Sequence, residues 1–316
     1  MHRSRGRPLT FGAVGRRYDT VSFLSDFGTA DEFAGVVRAV IRDLAPHAVV
    51  VDLTHEIPPF DVRAGALALV RSIAYVPSGV VLAVVDPGVG TTRRAIAVEV
   101  SDGEGIVVGP DNGLLAPAIA LTGGAGRAVV IENPDYRFEA PGATFAGRDV
   151  FAPAAAHLCN GVDLAELGEL VDPAVLLPSV IPLPRQEGEH LLTEVLWVDR
   201  FGNAQLNVGP DELADAWGPE WNRAREARIR VVVGDEVRAA VVVHSFGELP
   251  TGAIGLLVDS YGMYALAMDR YSAANELRVG PTDQVRLERI GFERMLDGPP
   301  AEAPSVTTPV SIRPGR

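Results

Sequence analysis

The sequence predicts an α/β N-terminal domain with a mostly parallel sheet, followed by a smaller all-β, barrel-like C-terminal domain. Up to about residue 170, short apolar strands alternate with segments of helical periodicity, as in sheets covered by helices. After residue 190 the pattern changes to strands separated by glycine turns. A proline-rich stretch lies between the two halves. The predicted parts are a disordered extension (1–18), an α/β domain (19–172), a linker (173–189), a β-barrel domain (190–292) and a disordered tail (293–316).

Each element of the first half follows from its own pattern. The predicted strands read "TVSFLS", "AVVVDL", "GVVLAVV", "AIAVEV", "GIVV" and "AVVIE". The predicted helices read "ADEFAGVVRAVIRDLA", "DVRAGALALVRSIAYV", "LLAPAIAL" and "VFAPAAAHLCNG". The first helix has an apolar face at helical spacing, formed by Phe33, Val36, Val37, Val40, Ile41 and Leu44. The last helix is expected to begin with Asp149 as its N-cap and to stop at Gly161.

The second half is predicted to be antiparallel strands. They lie within "LLTEVLWVDRFGNAQLNV", "ARIRVVVGDEVRAAVVVHSF", "GAIGLLVDSYGMYALAM" and "QVRLERI". Two of these segments contain an acid in a glycine turn, in "VDRFGN" and "VDSYG", which alone is ordinary for a hairpin.

Composition excludes several classes of protein. The net charge of −13 and the pI of about 4.9 argue against a nucleic-acid partner, which needs a basic surface. The single cysteine, Cys159, permits no internal disulfide or thiolate metal site, so we expect a cytoplasmic protein. No apolar run reaches the roughly 18–20 residues of a membrane span, and the basic N-terminus lacks the apolar core of a signal peptide.

Ligands of open parallel sheets bind outside the carboxyl ends of the strands. Four loops occupy such positions here, and three of them have an acid at the strand end. They read "SDFGTADEF" (25–33), "DLTHEIPPFD" (52–61), "DPGVGTTRR" (86–94) and "GPDNGLL" (109–115).

The loop "DPGVGTTRR" resembles a phosphate-binding loop only superficially. A P-loop needs Lys-Ser/Thr after its second glycine, and a dinucleotide loop needs a third glycine before a helix. Neither follows Gly90, so a plain glycine turn remains one alternative. The other is that the loop places Asp86 beside Arg93, which would orient the carboxylate and lower its pKa.

Metal and serine-nucleophile chemistry find no support in the sequence. The six histidines are scattered without an HExxH or paired spacing, and no G-x-S-x-G motif is present. We therefore expect no metal.

Seven ordered segments together resemble one family. They read "LSDFGTADEFAGVVRAVI", "DLTHEIPPFDVRAGALAL", "VVDPGVGTTRRAIAVEV", "GPDNGLL", "TFAGRDVFAPAAAHL", "VDRFGNAQLNV" and "GLLVDSYGMYALA". The chain thereby resembles the S-adenosyl-L-methionine (SAM) hydrolases (adenosine-forming), or SAM hydroxide adenosyltransferases, relatives of SAM-dependent fluorinases and chlorinases. The resemblance implies SAM as substrate, no cofactor, and a homotrimer whose active sites lie between one subunit's N-domain and a neighbour's C-domain.

The resemblance also implies roles for particular residues. The substrate-binding positions are Asp26, Asp31, Phe60, Asp199, Phe201, Asn203, Phe246 and Ser260. Asp26 would hold the ribose 2′- and 3′-hydroxyls, and Phe60 would lie over the sugar. The acids at 31 and 199, with Ser260, would hold the methionine amino and carboxylate groups. The rings of Phe201 and Phe246 and the amide of Asn203 would form an adenine slot.

The implied catalytic residues are Asp86 and Arg93, which would hold the attacking water. Here the sequence departs from the family, because "TFAGRD" has Ala146 where hydrolases commonly carry a histidine. The resulting expectation is hydrolysis of SAM to adenosine and methionine. The alternatives are a non-catalytic SAM- or adenosine-binding protein and a SAM-dependent halogenase.

Overall fold

The computed structural model describes residues 16–179, 181–219, 221 and 227–290. The predicted tail (293–316) and residues 1–15 of the predicted extension lie outside this range. Tyr18, assigned from sequence to the extension, is instead buried in the N-terminal core, and its hydroxyl donates to the Gly103 carbonyl oxygen at 3.0 Å. The described residues divide into two compact units, with the boundary between Pro182 and Leu183.

The first unit is built on a seven-stranded sheet in the order β2-β1-β3-β5-β4-β6-β7. Its strands are β1 Thr20–Ser25, β2 Val49–Thr54, β3 Val80–Val84, β4 Ala95–Val100, β5 Gly105–Pro110, β6 Ala125–Val130 and β7 Leu170–Val171. Its helices are α1 Phe33–Leu44, α2 Val62–Ile73, α3 Ala116–Leu121 and α4 Ala152–Cys159. The α/β class predicted from the sequence is confirmed.

The sheet is mixed, with its parallel part confined to β2, β1, β3 and β5. Strands β4, β6 and β7 pair antiparallel with their neighbours. The physical reason is the length of the connections, since a parallel crossover needs about a dozen residues or more. The loop over 85–94 between β3 and β4 is shorter, so the chain turns back and β5 takes the place between them.

Helices cover both faces of this sheet. One core cluster joins the buried side of α1 (Ala34, Val37 and Ile41) to α4, and the other joins α2 to α3. Helix α2 begins at the expected position because the Asp61 carboxylate accepts a hydrogen bond from the Ala64 amide at 2.8 Å.

The expected start of the fourth helix is wrong. A π-helical turn, Gly147–Phe151, precedes α4, and Asp149 lies inside it. The Asp149 carboxylate accepts from the Arg148 guanidinium at 2.6 and 2.9 Å and caps no amide of the described residues. Gly161 does follow the helix with a positive φ of 87°, as a C-terminal stop requires.

The second unit is a closed seven-stranded barrel, which confirms the predicted all-β domain. The barrel strands are β9 His190–Val198, β10 Ala204–Leu206, β11 Arg228–Val233, β12 Glu236–Val242, β13 Ile254–Val258, β14 Tyr264–Met268 and β15 Gln284–Arg289, and the unit has one further strand, β8 Arg185–Glu187. Pairing of β10 with β9 closes the barrel, and β8 adds to its edge. The pairing of β12 with β13 is parallel, in contrast to the antiparallel arrangement expected.

Two short helices, α5 Pro210–Trp217 and α6 Ala273–Leu277, were not predicted. Each has a side-chain cap, since the Glu212 carboxylate accepts from the Gly209 amide and the Ser272 hydroxyl accepts from the Asn275 amide. None of the helices in the described part of the chain combines the length and the apolar character needed to span a bilayer.

Candidate active site

A cavity of about 420 Å³ in the first unit brings together four of the predicted site residues. It lies at the carboxyl ends of β1 and β3, where sheet topology places ligands. The predicted residues that line it are Asp26, Asp31, Phe60 and Asp86. Phe27, Phe33 and Phe145 add an aromatic wall, with ring centroids 5.0–6.0 Å apart.

Asp86 and Arg93 form a two-pronged ion pair across the loop "DPGVGTTRR". Arg93 Nε donates to Asp86 Oδ1 at 2.9 Å, and Nη2 donates to Oδ2. Both side chains are largely buried, with 6% of Asp86 and 12% of Arg93 exposed. The guanidinium also lies 5.4 Å from the ring centroid of Phe151. The pairing expected from sequence is present, and burial makes it more than a surface contact.

The expected effect on the Asp86 pKa is wrong. Burial raises the pKa of this carboxyl above its ordinary value, and Arg93 offsets the burial only in part. The charge of nearby Asp26 raises the pKa further. Asp86 is therefore a stronger proton acceptor than an exposed aspartate.

A second arginine–carboxylate pair lies beside the first. Arg94 Nε donates to Asp111 Oδ2 at 2.8 Å, and Asp111 Oδ1 accepts from the Leu177 amide at 2.8 Å. The bond to the Leu177 amide attaches the segment after Asp172 to this pair. Asp111 does not line the 420 Å³ cavity. The two successive arginines therefore serve different carboxylates.

Asp26 is coupled to Phe60 through the backbone. Asp26 Oδ2 accepts a hydrogen bond from the Phe60 amide at 2.9 Å. Phe60 has a φ of 69°, a left-handed conformation that costs a non-glycine residue about 1–3 kcal/mol. Phe60 is 71% exposed and lines the cavity wall. An exposed aromatic residue held in a strained conformation at a cavity is a typical ligand-contacting feature.

Ala146 lies in the wall between this cavity and another. The neighbouring cavity has a volume of about 510 Å³ and is lined by Arg93, Arg94 and Asp149, among others, while Ala146 lines both. The Asp86–Arg93 pair spans the same boundary, with Asp86 on one cavity and Arg93 on the other. Space for a larger side chain is thus present next to the ion pair.

The other predicted residues lie together in the second unit. A cavity of about 440 Å³ is lined by Asp199, Phe201, Asn203, Phe246 and Ser260, along with Gln205, Asp259 and Tyr261. Phe201 and Phe246 are 79% and 55% exposed, and their rings are available to a ligand. A further cavity of about 760 Å³ beside β12 contains none of the predicted residues.

Two hairpin turns at this cavity have equivalent structures. Asp199 Oδ1 accepts from the amides of Phe201 and Asn203, both at 2.9 Å. Asp259 Oδ1 accepts from the amides of Tyr261 and Met263 at 2.8 and 3.1 Å.

A side-chain amide completes each of these turns. Asn203 Nδ2 donates to Asp199 Oδ2 at 2.7 Å, and Gln205 Nε2 donates to Asp259 Oδ2 at 2.6 Å. From the sequence, Asp259 was noted only as the acid of an ordinary hairpin turn, and Gln205 was missed. The shared pattern Asp-x-aromatic-Gly in "VDRFGN" and "VDSYG" was the signal that could have identified the second turn.

The charges at the first cavity favour a cationic ligand. Three carboxylates, those of Asp26, Asp31 and Asp86, face it, and none of the described residues that line it is basic. Phenylalanine rings supply the remaining surface, which suits an apolar group next to a positive charge. The arrangement can therefore hold a cation and present a hydrogen-bond acceptor to a small nucleophile.

Comparison with known proteins gives a consistent result over most of the chain. The model of the SAM hydroxide adenosyltransferase N-terminal domain matches residues 21–168, and that of the C-terminal domain matches residues 193–286. A curated protein of Salinispora tropica named (R)-S-adenosyl-L-methionine hydrolase is 43% identical, covering 84% of this chain and 97% of its own length. One of the same name from Thermus thermophilus is 42% identical over 84% of this chain and 98% of its own. A fluorinase of Nocardia brasiliensis is 26% identical over 86% and 98%.

Two solved structures have a similar fold. A conserved protein of Thermotoga maritima has a TM-score of 0.77 at 34% identity, covering 85% of this chain and all of its own. One from Thermus thermophilus has a TM-score of 0.65 at 40% identity, covering 86% and 100%. With both domain models matched in order, the chain belongs to the SAM hydroxide adenosyltransferase family.

Proposed function

We propose that this protein hydrolyses SAM to adenosine and L-methionine, with a water molecule held by Asp86 and Arg93 as the nucleophile. The observation that carries the proposal is the buried Asp86–Arg93 pair at a cavity that also presents Asp26, Asp31 and Phe60. The relatives named (R)-S-adenosyl-L-methionine hydrolase support the choice of reaction.

The substrate supplies its own leaving group. The water oxygen forms a bond to ribose C5′ as the bond from C5′ to sulfur breaks, and the sulfur keeps the electron pair as a neutral thioether. One proton leaves the water and passes to Asp86 or onward to solvent. No general acid is needed at sulfur, so the protein has to orient the water and remove competing solvent.

Asp86 accepts the hydrogen bond of the attacking water. Its raised pKa makes it a better acceptor, although it is still far weaker than hydroxide, so proton transfer comes late in the step. Arg93 holds the carboxylate in one orientation and stabilises negative charge that develops on the oxygen. The carboxylates at the cavity favour the sulfonium over neutral thioethers.

The remaining contacts come from the predicted binding residues. Asp26 accepts hydrogen bonds from the ribose hydroxyls and Phe60 covers the sugar. Asp31, Asp199 and Ser260 hold the methionine end of the substrate. Phe201, Asn203 and Phe246 receive the adenine. We propose further that the protein is a homotrimer in which these two groups of residues come from adjacent copies.

Product analysis tests the proposal. Purified protein is incubated with SAM, with and without chloride or fluoride, and the products are separated by chromatography. Adenosine and methionine are expected in equal amounts, and Asp86→Asn should reduce turnover by about 10²–10⁴-fold. The matched control is Asp111→Asn, which removes the carboxylate from the adjacent arginine pair and leaves the cavity unchanged.

The other outcomes contradict the proposal in different ways. A halogenated deoxyadenosine formed only with halide would indicate a halogenase. Tight SAM binding without turnover would indicate a binding protein. Equal rates for Asp86→Asn and the unmodified protein would remove the proposed mechanism.

A further inference from the structure

A cluster of polar side chains, most of them buried, lies next to the loop that carries Asp26. Ser25, the last residue of β1, is fully buried, and its Oγ lies 2.8 Å from His55 Nδ1. His55 follows β2 and is 5% exposed, and its Nε2 lies 3.1 Å from Asp52 Oδ1. The Arg38 guanidinium pairs with the other oxygen of Asp52. None of these residues lines the 420 Å³ cavity.

Two hydrogen bonds meet at the Ser25 hydroxyl. Ser25 Oγ accepts from the Phe27 amide at 3.3 Å and shares a hydrogen bond with His55 Nδ1 at 2.8 Å. His55 Nε2 is buried and has no hydrogen-bond partner among the described residues, so its 3.1 Å approach to Asp52 Oδ1 is a close contact without hydrogen-bond geometry. The hydrogen bonds at Ser25 therefore join the backbone after Asp26 to the His55 ring.

The same three residue types form nucleophilic triads in hydrolases, but this arrangement does not. Ser25 is 0% exposed, so its oxygen is closed to substrate. What these side chains and their backbone do contact is the segment that directly follows Asp26. Ser25 holds the Phe27 amide, and the His55 carbonyl oxygen accepts from the Gly28 amide at 2.7 Å.

We propose that Ser25 and His55 are positioning residues that fix the Asp26 carboxylate for the ribose hydroxyls. The proposal rests on the role given to Asp26 above. Asp26 is tied on one side to the Phe60 amide and on the other to a loop whose amides end on Ser25 and His55. Losing the second attachment lets the carboxylate move, and its grip on a hydroxyl weakens with small displacements.

The test compares Ser25→Ala with Ser22→Ala. Ser22 lies on the same strand, is 1% exposed, and its hydroxyl has no hydrogen-bond partner among the described residues. Each protein is assayed with SAM and with its 2′-deoxy analogue, and the ratio of the two kcat/KM values is recorded. We expect Ser25→Ala to reduce the preference for the 2′-hydroxyl by about three- to tenfold and Ser22→Ala to leave it unchanged.

Two histidine variants separate positioning from folding. His55→Asn keeps a hydrogen-bonding group near the place of Nδ1 and should preserve most of the preference, whereas His55→Leu should lose it to the same degree as Ser25→Ala. Thermal unfolding of each variant reports stability separately. An unchanged preference in both Ser25→Ala and His55→Leu, with SAM still hydrolysed, overturns the positioning role alone.

Binding measurements distinguish this failure from failure of the proposed function. If the unmodified protein does not hydrolyse SAM, the Kd ratio of adenosine to 2′-deoxyadenosine replaces the kinetic ratio. A protein that binds adenosine with a preference lost in Ser25→Ala supports the positioning role without the reaction. A protein that binds neither nucleoside overturns both proposals.

Discussion

The carboxyl of Asp86 is acted on by burial and by Arg93, and the two influences oppose each other. Burial disfavours the charged form, whereas the guanidinium favours it, and burial has the larger effect on the pKa. The spacing of the two residues on one loop predicts their contact. It does not predict the burial, because the cover over Arg93 includes Phe151, which is distant in sequence.

The raised pKa predicts the acid side of the pH–rate profile. Only ionised Asp86 can take up the proton of the attacking water, so kcat/KM should decline as the pH falls through a pKa above that of an exposed aspartate. The profile is measured between about pH 3.5 and 8 in buffers of constant ionic strength. In Asp86→Asn this decline should be absent. A profile that stays flat down to the ordinary aspartate range, or a decline that persists in the asparagine variant, contradicts the assignment.

Ala146 gives a second prediction at the scale of one residue. A histidine there would lie next to the Asp86–Arg93 pair, in space that two cavities already provide. If the position lacks only a helper for the attacking water, Ala146→His should raise kcat, by up to about 10²-fold for an added acid–base group. Ala146→Leu adds similar bulk without an imidazole and should not raise it. Equal or lower turnover in both variants would mean that the pocket works only with a small side chain.

The two equivalent turns of the barrel give a prediction about elements. Gly202 and Gly262 both have a positive φ, 84° and 80°. A Cβ at Gly202 would lie 2.1 Å from Ser272 Oγ and 2.6 Å from Ser272 Cα, whereas a Cβ at Gly262 would meet nothing within 4 Å. Gly262→Ala should therefore cost about 1–2 kcal/mol of conformational strain. Gly202→Ala should cost about 1–3 kcal/mol more, because the backbone before α6 must move.

Tryptophan fluorescence during urea unfolding measures both variants. All three tryptophans (197, 217 and 221) lie in the second unit, so the signal follows the barrel alone. Equal losses of stability in the two variants would show that Ser272 yields easily, and the packing argument would then be wrong.

Elements with a strong pattern were predicted well, and those decided by tertiary contacts were not. Strand β3 is fully buried and reads as an unbroken apolar run, so its sequence suffices. Helix α5 has only two buried residues, Leu213 and Trp217, and its apolar signal is correspondingly weak. Asp149 is a residue type that commonly caps helices, but its carboxylate pairs with Arg148 instead. A π-helical turn occupies the position where the helix was expected to start.

At the scale of the whole molecule, the residues predicted for the site fall into two groups, one in each unit. The first unit holds Asp86, Arg93 and the residues assigned to the sugar, and the second holds those assigned to adenine. The sequence indicates both groups through ordered motifs, since each lies in its own loops. How copies of the chain assemble is not encoded in any single loop, so the homotrimer comes from the family resemblance and needs a direct test.

Mixing two inactive variants provides that test. Asp86→Asn removes the proposed catalytic carboxylate from the first unit, and Phe201→Ala combined with Asn203→Ala removes the proposed adenine contacts from the second. If each site joins one copy's first unit to the next copy's second unit, an equal mixture refolded together contains intact sites. Their expected share is about one quarter, because each half is intact with a probability of one half. Sites built within single chains would give no recovery. Native mass spectrometry of the same mixture should show trimers of both variants, and an active monomer would contradict the assembly.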